Sequence, residues 1–223
     1  MRYVKTLLIV VLLACGLAHA EALPGDAARL MPQLRVEIDQ YWPGLTPRPF
    51  IPALIEQESL WKVGAKLKTS REFGCGLGQF TAAYDGAGRI RFDALEETKH
   101  LDASLAGWNW RNCSAERYQL RAVVLKLKAN DRQCSILMAD NHQSKACNAA
   151  MYNGGAGSIS KRIRLCSVDD DCDVRQWFGH LERRCPQSRV KAAGYGEDFC
   201  TTNSQYPARV FARMPKYDGM LGP

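Results

Sequence analysis

The sequence predicts a mainly α-helical protein stapled by disulfides. Three observations carry that prediction. Apolar residues recur at helical spacing in several segments, no segment shows sustained period-two alternation, and the cysteines that follow an apparent leader are even in number. With 223 residues, 46% of them apolar and 24% charged, the chain can bury a core and is neither disordered nor a coiled coil. The length suits a single domain, and no fixed-period repeat suggests a solenoid or propeller.

Residues 1–20 read as a signal peptide. Arg2 and Lys5 form a positive start, Leu7 to Ala14 an apolar stretch, and Ala18-His19-Ala20 a small-x-small cleavage site. The run is short for a membrane anchor. LLAC (12–15) offers a second reading, a lipoprotein box acylated at Cys15, to which Leu13 fits poorly. After residue 20 no apolar run reaches the roughly 18 residues a membrane span needs. The expectation is a periplasmic or secreted protein, residues 21–223, with no integral membrane span.

Eight cysteines then remain: Cys75, Cys113, Cys134, Cys147, Cys166, Cys172, Cys185 and Cys200. In an exported chain they read as up to four bridges. Cys166 with Cys172 suits a small loop; the other pairings are open. There is no C-x-x-C and no H-x-x-x-H, so neither a metal nor another cofactor is expected. DDDCD (169–173) lacks the calcium-loop spacing and reads as a solvated loop.

The net charge is +7, or +5 once the two basic residues of the leader are gone. A basic exported chain suits an anionic envelope polymer, or simply a solvated basic surface. Basic residues are dispersed, with only short clusters such as KRIR (161–164), and no aromatic-basic module points to nucleic acid.

In chain order, a helix is expected over about 31–41, with Pro32 in its first turn and Leu34, Ile38 and Tyr41 as its stripe. Prolines 43, 47 and 49 mark a loop. Residues 51–62 read as a helix with Pro52 in the first turn. Residues 68–88 are glycine-rich and irregular. Helices follow over 92–105 and 115–129, the second with Ala115, Tyr118, Ala122, Leu125 and Ala129 on one face. Residues 134–153 make one or two helices stopped by Gly154-Gly155. Two more are expected near 174–183 and 207–214.

Three segments could carry chemistry. In 51–62, Glu58 follows Leu54 by four residues and Ile55 by three, so it sits in an apolar stripe, whereas Glu56 faces solvent. A carboxylate there is either a raised-pKa proton donor or the partner of a core cation. FGCGLGQF (73–80) lacks the spacing of a phosphate or dinucleotide loop. It reads as a tight turn stapled by Cys75, with Gln79 suited to an amide or a sugar hydroxyl. In AAMYNGG (149–155), Tyr152 and Asn153 lie at a helix end where side chains can project into a cleft; taken alone, the segment reads first as a plain C-cap, which explains Asn153 and Gly154.

Taken together, Glu58-Ser59, Gly76-Leu77-Gly78-Gln79 and Tyr152-Asn153-Gly154-Gly155 resemble, in type and order, the soluble lytic transglycosylase family, related to goose-type lysozyme. The resemblance covers about residues 50–160, with a weaker echo at 206–217 (YPARVFARMPKY). Gly78 replaces the family's usual Met, and Phe73 stands where a Gly is common. The cysteines are not a general family feature.

The resemblance implies a lysozyme-like domain that cuts the β-1,4 bond between N-acetylmuramic acid and N-acetylglucosamine in peptidoglycan glycan strands. It implies that Glu58 is the single catalytic acid/base and that the product is a 1,6-anhydromuramyl sugar. Tyr152 would hydrogen-bond Glu58, Gln79 and Asn153 would hold sugar groups, and Ser59 would fix local backbone. Trp61, Phe80, Trp108 and Trp110 are either stacking rings or core. A hydrolase of the same bond and a non-catalytic wall-binding protein are the alternatives. The host process stays open: wall turnover, a secretion or conjugation apparatus, or a phage.

Overall fold

The computed structural model describes residues 22–191 and 196–222. Residues 1–20, read from the sequence as a signal peptide, lie with Cys15 outside the described residues. The chain is mainly helical, with one small antiparallel sheet and four disulfides. Among the described residues no helix is long and apolar enough to cross a membrane.

Helix α1 (Ala27–Tyr41) begins earlier than the sequence suggested, and α7 (Phe199–Arg213) begins well before residue 207. The cause is the same in both. Pro32 and Pro207 look like helix starts but sit inside the helices, each removing one backbone hydrogen bond. Burial of Ala27, Leu30 and Met31 on α1, and of Cys200 and Asn203 on α7, holds the turns that precede each proline. Asp198 caps α7 by accepting from the Thr201 N–H at 2.8 Å.

Helix α2 (Phe50–Ser59) forms where expected and ends abruptly. Leu60 and Trp61 both adopt left-handed backbone, φ 52° and 59°, which costs non-glycine residues about 1 kcal/mol or more each. Trp61 holds this exit by burying its ring and donating its indole N–H to Tyr217 Oη at 2.9 Å.

The irregular stretch expected at 68–88 is instead most of a sheet: β1 (Lys66–Lys68), β2 (Glu72–Cys75), β3 (Phe80–Tyr84) and β4 (Ile90–Asp93), in that order. The strands are three to five residues long and burial alternates only along the three residues of β1, so no sustained period-two pattern exists to be read. The glycine loop is the turn of the β2–β3 hairpin, with Cys75 paired across from Phe80.

The helix expected over 92–105 is broken. Asp93 ends β4 and caps the short α3 (Ala94–Lys99), and Asp102 caps a 3-10 turn over 103–105. Helix α4 (Glu116–Leu137) is longer than expected and its buried face is rotated: Leu120, Val123, Val124 and Leu127 are interior, while Ala115, Tyr118 and Ala129 are only partly covered. It packs on α1, where Arg121 pairs with buried Glu37 at 2.9 Å.

Helix α5 (Asn141–Gly154) is capped by Asp140, and Gly155, with φ 76°, separates it from α6 (Ala156–Cys166). No α-helix forms over 174–183. There the N–H groups of Trp177 and Phe178 are taken by Gln143 Oε1, Trp177 inserts into the interior, and only a 3-10 turn at 181–183 remains.

Two apolar clusters result. The larger joins α1, α2, α4, the sheet and the end of α7. The smaller lies among α5, α6 and Trp177 and contains half-cystines Cys134, Cys147 and Cys166. Cys75–Cys113 ties the sheet to the segment before α4. Cys134–Cys147, Cys166–Cys172 and Cys185–Cys200 staple the smaller cluster and the start of α7. The KRIR segment is not simply a solvated basic face, because Arg162 is fully buried. It donates to the Leu181 carbonyl at 2.8 Å and to Asn203 Oδ1 at 3.0 Å. DDDCD is a turn in which Asp169 pairs with Arg184.

Candidate active site

A cleft of about 560 Å³ separates the sheet from the ends of α2, α5 and α7. Glu58, on the last turn of α2, lines it beside Gln57. The Tyr206 hydroxyl of α7 donates a hydrogen bond to Glu58 Oε1. Burial pushes the Glu58 carboxyl up to about 7, the phenol hydrogen bond opposing only part of that rise. The group therefore exchanges its proton near neutral pH, as a general acid and base must.

The expected bond from Tyr152 to Glu58 is not present. Tyr152 lies close enough to Glu58 for that charge, with burial, to push its phenol well up, but its hydroxyl donates to the Gly78 carbonyl at 2.7 Å. Tyr206 takes the role the sequence assigned to Tyr152. Its only trace in the sequence was the weak echo at 206–217.

The glycine loop is shaped by contacts with α4 and α5. A Cβ on Gly78 would lie 2.5 Å from Tyr152 Oη and 2.6 Å from a Val123 methyl. Glycine at 78 thus has a physical reason: the phenol fills the space a side chain would need. Gly76, with φ +80°, leaves room for the Gln119 amide, which accepts from the Leu77 N–H. Gln79 adopts φ 43°, lines the cleft, and donates its side-chain N–H to the Gly76 carbonyl at 2.8 Å. Cys75–Cys113 anchors the strand that leads into this turn.

Asn153 is exposed at the cleft, and its Oδ1 accepts from Asn203 Nδ2 at 3.1 Å. Ser59 is buried and outside the cleft lining; its hydroxyl donates to the Ile55 carbonyl at 3.1 Å, a backbone tie and not a ligand contact. Glu58, Gln79, Tyr152 and Asn153 therefore converge, and Ser59 supports them from below.

Glu56 does not face solvent. It is 5% exposed, receives hydrogen bonds from Lys216 Nζ at 2.7 Å and Tyr217 Oη at 2.6 Å, and has Arg213 at 3.8 Å. Of the four candidate rings, Trp61 and Trp108 are core. Trp110 packs on Phe73, its indole N–H donating to Asp93 at 2.8 Å, and Phe80 lines the cleft while being almost fully covered. The accessible rings are two that sequence reasoning missed: Phe92 on β4, 41% exposed, and Phe199 at the start of α7, 39% exposed. Their signal was an aromatic residue in a polar stretch, RIRFD and GEDFC. Glu72 on β2 and Lys126 on α4 also line the cleft and were not singled out.

The arrangement can deliver a proton to a substrate oxygen in a cleft edged by amides, a hydroxyl and exposed rings. Compared with protein-family models, with curated proteins and with solved structures, the chain finds no match in any of the three.

Proposed function

We propose that the protein is a peptidoglycan lytic transglycosylase with a lysozyme-like fold, cleaving the β-1,4 bond between N-acetylmuramic acid and N-acetylglucosamine. The observation that carries this reading is Glu58. It is a cleft carboxyl raised to about 7, held by one phenol and, among the described residues, by no cation. Glu58 protonates the leaving glycosidic oxygen as the bond to C1 breaks. The resulting carboxylate takes the proton of the muramyl C6 hydroxyl as that oxygen closes on C1. No water is consumed, and Glu58 ends protonated. Tyr206 positions the carboxyl. Gln79 and Asn153 offer amides to the N-acetyl groups and hydroxyls, and Phe92 and Phe199 offer ring faces to sugars. The four disulfides support an oxidising compartment outside the cytoplasm.

A non-catalytic wall-binding protein has no use for an acid tuned to neutrality. Hydrolysis of the same bond is the second reading, and Glu72 favours it: a second cleft carboxylate, on the sheet, could activate water. Mass spectrometry of muropeptides released from purified sacculi separates the two. Anhydro products, one water lighter than the reducing ones, are expected. Reducing products would assign hydrolysis, and no release at all would remove the enzymatic reading.

A further inference from the structure

Lys126 has no use in the reaction just described. It lies on α4, one turn beyond Val123, whose methyl packs beneath the Gly78 loop, and it lines the cleft. Its side chain is half-buried, and burial pushes its ammonium down from the ordinary lysine value. Glu97 on α3 opposes that shift through space, but no carboxylate lies within 4 Å of Lys126 Nζ among the described residues. Burial and the Tyr206 phenol, and not Lys126, set the Glu58 carboxyl.

A desolvated cation on a cleft wall without an ion-pair partner is costly by itself, and an anion in the cleft removes that cost. We infer that Lys126 is a specificity-determining residue that binds a carboxylate borne by the glycan strand at a position remote from the bond being cut. This inference rests on the proposed function and adds to it the substituent that the cleft reads. Two parts of a wall strand carry such a group: the lactyl ether of muramic acid when unsubstituted, and the peptide stem when present.

The test measures binding of short muramyl oligosaccharides to the Glu58→Gln protein by calorimetry. The ligands carry a free lactyl carboxylate, a peptide stem, or a neutral lactyl amide. One carboxylated form is expected to bind about tenfold more tightly than the amide, as a charge-assisted hydrogen bond supplies. Whichever form it is names the source. Adding Lys126→Gln should abolish the preference by weakening the acid alone, while Lys126→Arg retains it. Lys126→Gln in the otherwise native chain should melt no lower, since it removes a desolvated charge. Equal weakening of acid and amide by Lys126→Gln, or an unchanged preference, overturns the inference while digestion by the native protein leaves the proposed function standing. If the native protein digests nothing and no oligosaccharide binds, both fall.

Discussion

Helix α2 has a sealed flank and a cleft flank, and each holds one carboxylate. On the sealed flank Glu56 meets an ammonium, a phenol and a nearby guanidinium. On the cleft flank Glu58, two residues later, meets a single phenol. The same side chain on the same turn therefore serves two ends. Surrounded by cations, it fastens the C-terminal 3-10 turn (Met214–Tyr217) to α2. Without them, burial dominates and the proton becomes exchangeable at neutrality. The lesson is that the partner set, and not the helix position, decides whether a buried acid is structural or chemical.

The largest expected effect tests the cleft flank. Glu58→Gln should lower the rate of release from sacculi by about 10²–10⁴-fold while circular dichroism and melting stay native-like. Full activity in that variant would move the acid elsewhere and end the contrast.

Glu56→Gln tests the sealed flank. Lys216 and Arg213 would lose their carboxylate, and breaking a buried pair typically costs about 3–5 kcal/mol, the lower end being expected because Gln still accepts hydrogen bonds. Urea unfolding measures the loss. Activity per folded molecule should be close to wild type, and a catalytic defect without destabilisation would mean the two flanks are not distinct.

The third prediction concerns pH. Glu58 holds its proton more tightly folded, at about 7, than at the ordinary 4.5. Between those values the folded state binds more protons than the unfolded state. Stability therefore falls as pH rises from about 4.5 and levels off above about 7, by at most ~3 kcal/mol. Glu58→Gln lacks this slope. The gap between wild type and variant, measured by urea unfolding at pH 5 and pH 8, should widen in the variant's favour at pH 8. A constant gap would show that Glu58 titrates as an ordinary surface acid.

The smallest effect is that of Tyr206→Phe. Its hydroxyl lowers the Glu58 pKa, so its loss should move the alkaline fall of activity to higher pH by less than about one unit, with a modest drop in rate. A shift to lower pH would give the hydroxyl the opposite electrostatic role.

The legible parts of the molecule were those encoded locally. Pro52 and the stripe around Leu54 and Ile55 announced α2, Gly154-Gly155 announced the end of α5, and the cysteine count announced four bridges. A helical wheel says which residues share a face, but not how many faces are covered. α2 is wrapped by α7, the terminal 3-10 turn and α4, so Glu56 is interior as well. The sheet was hidden because its strands are too short to show a period. Tyr206, Phe92, Phe199 and Lys126 come from four different elements and become neighbours only when the chain is folded. Tyr152 shows the remaining limit. Its placement near the acid was readable, but the loop carbonyl competing for its proton was not.

Gly78 and Tyr152 occupy one volume between them, with Val123 as a third claimant. Substitutions at the two positions are therefore energetically coupled. Gly78→Ala alone collides with a phenol and a methyl, and Tyr152→Phe alone leaves the Gly78 carbonyl without its donor. The double replacement relieves part of the first injury and should cost less than the two added together. A large residue at 78 needs room made at 152 or at 123, so the loop's backbone path is set by which of three neighbours holds one small volume.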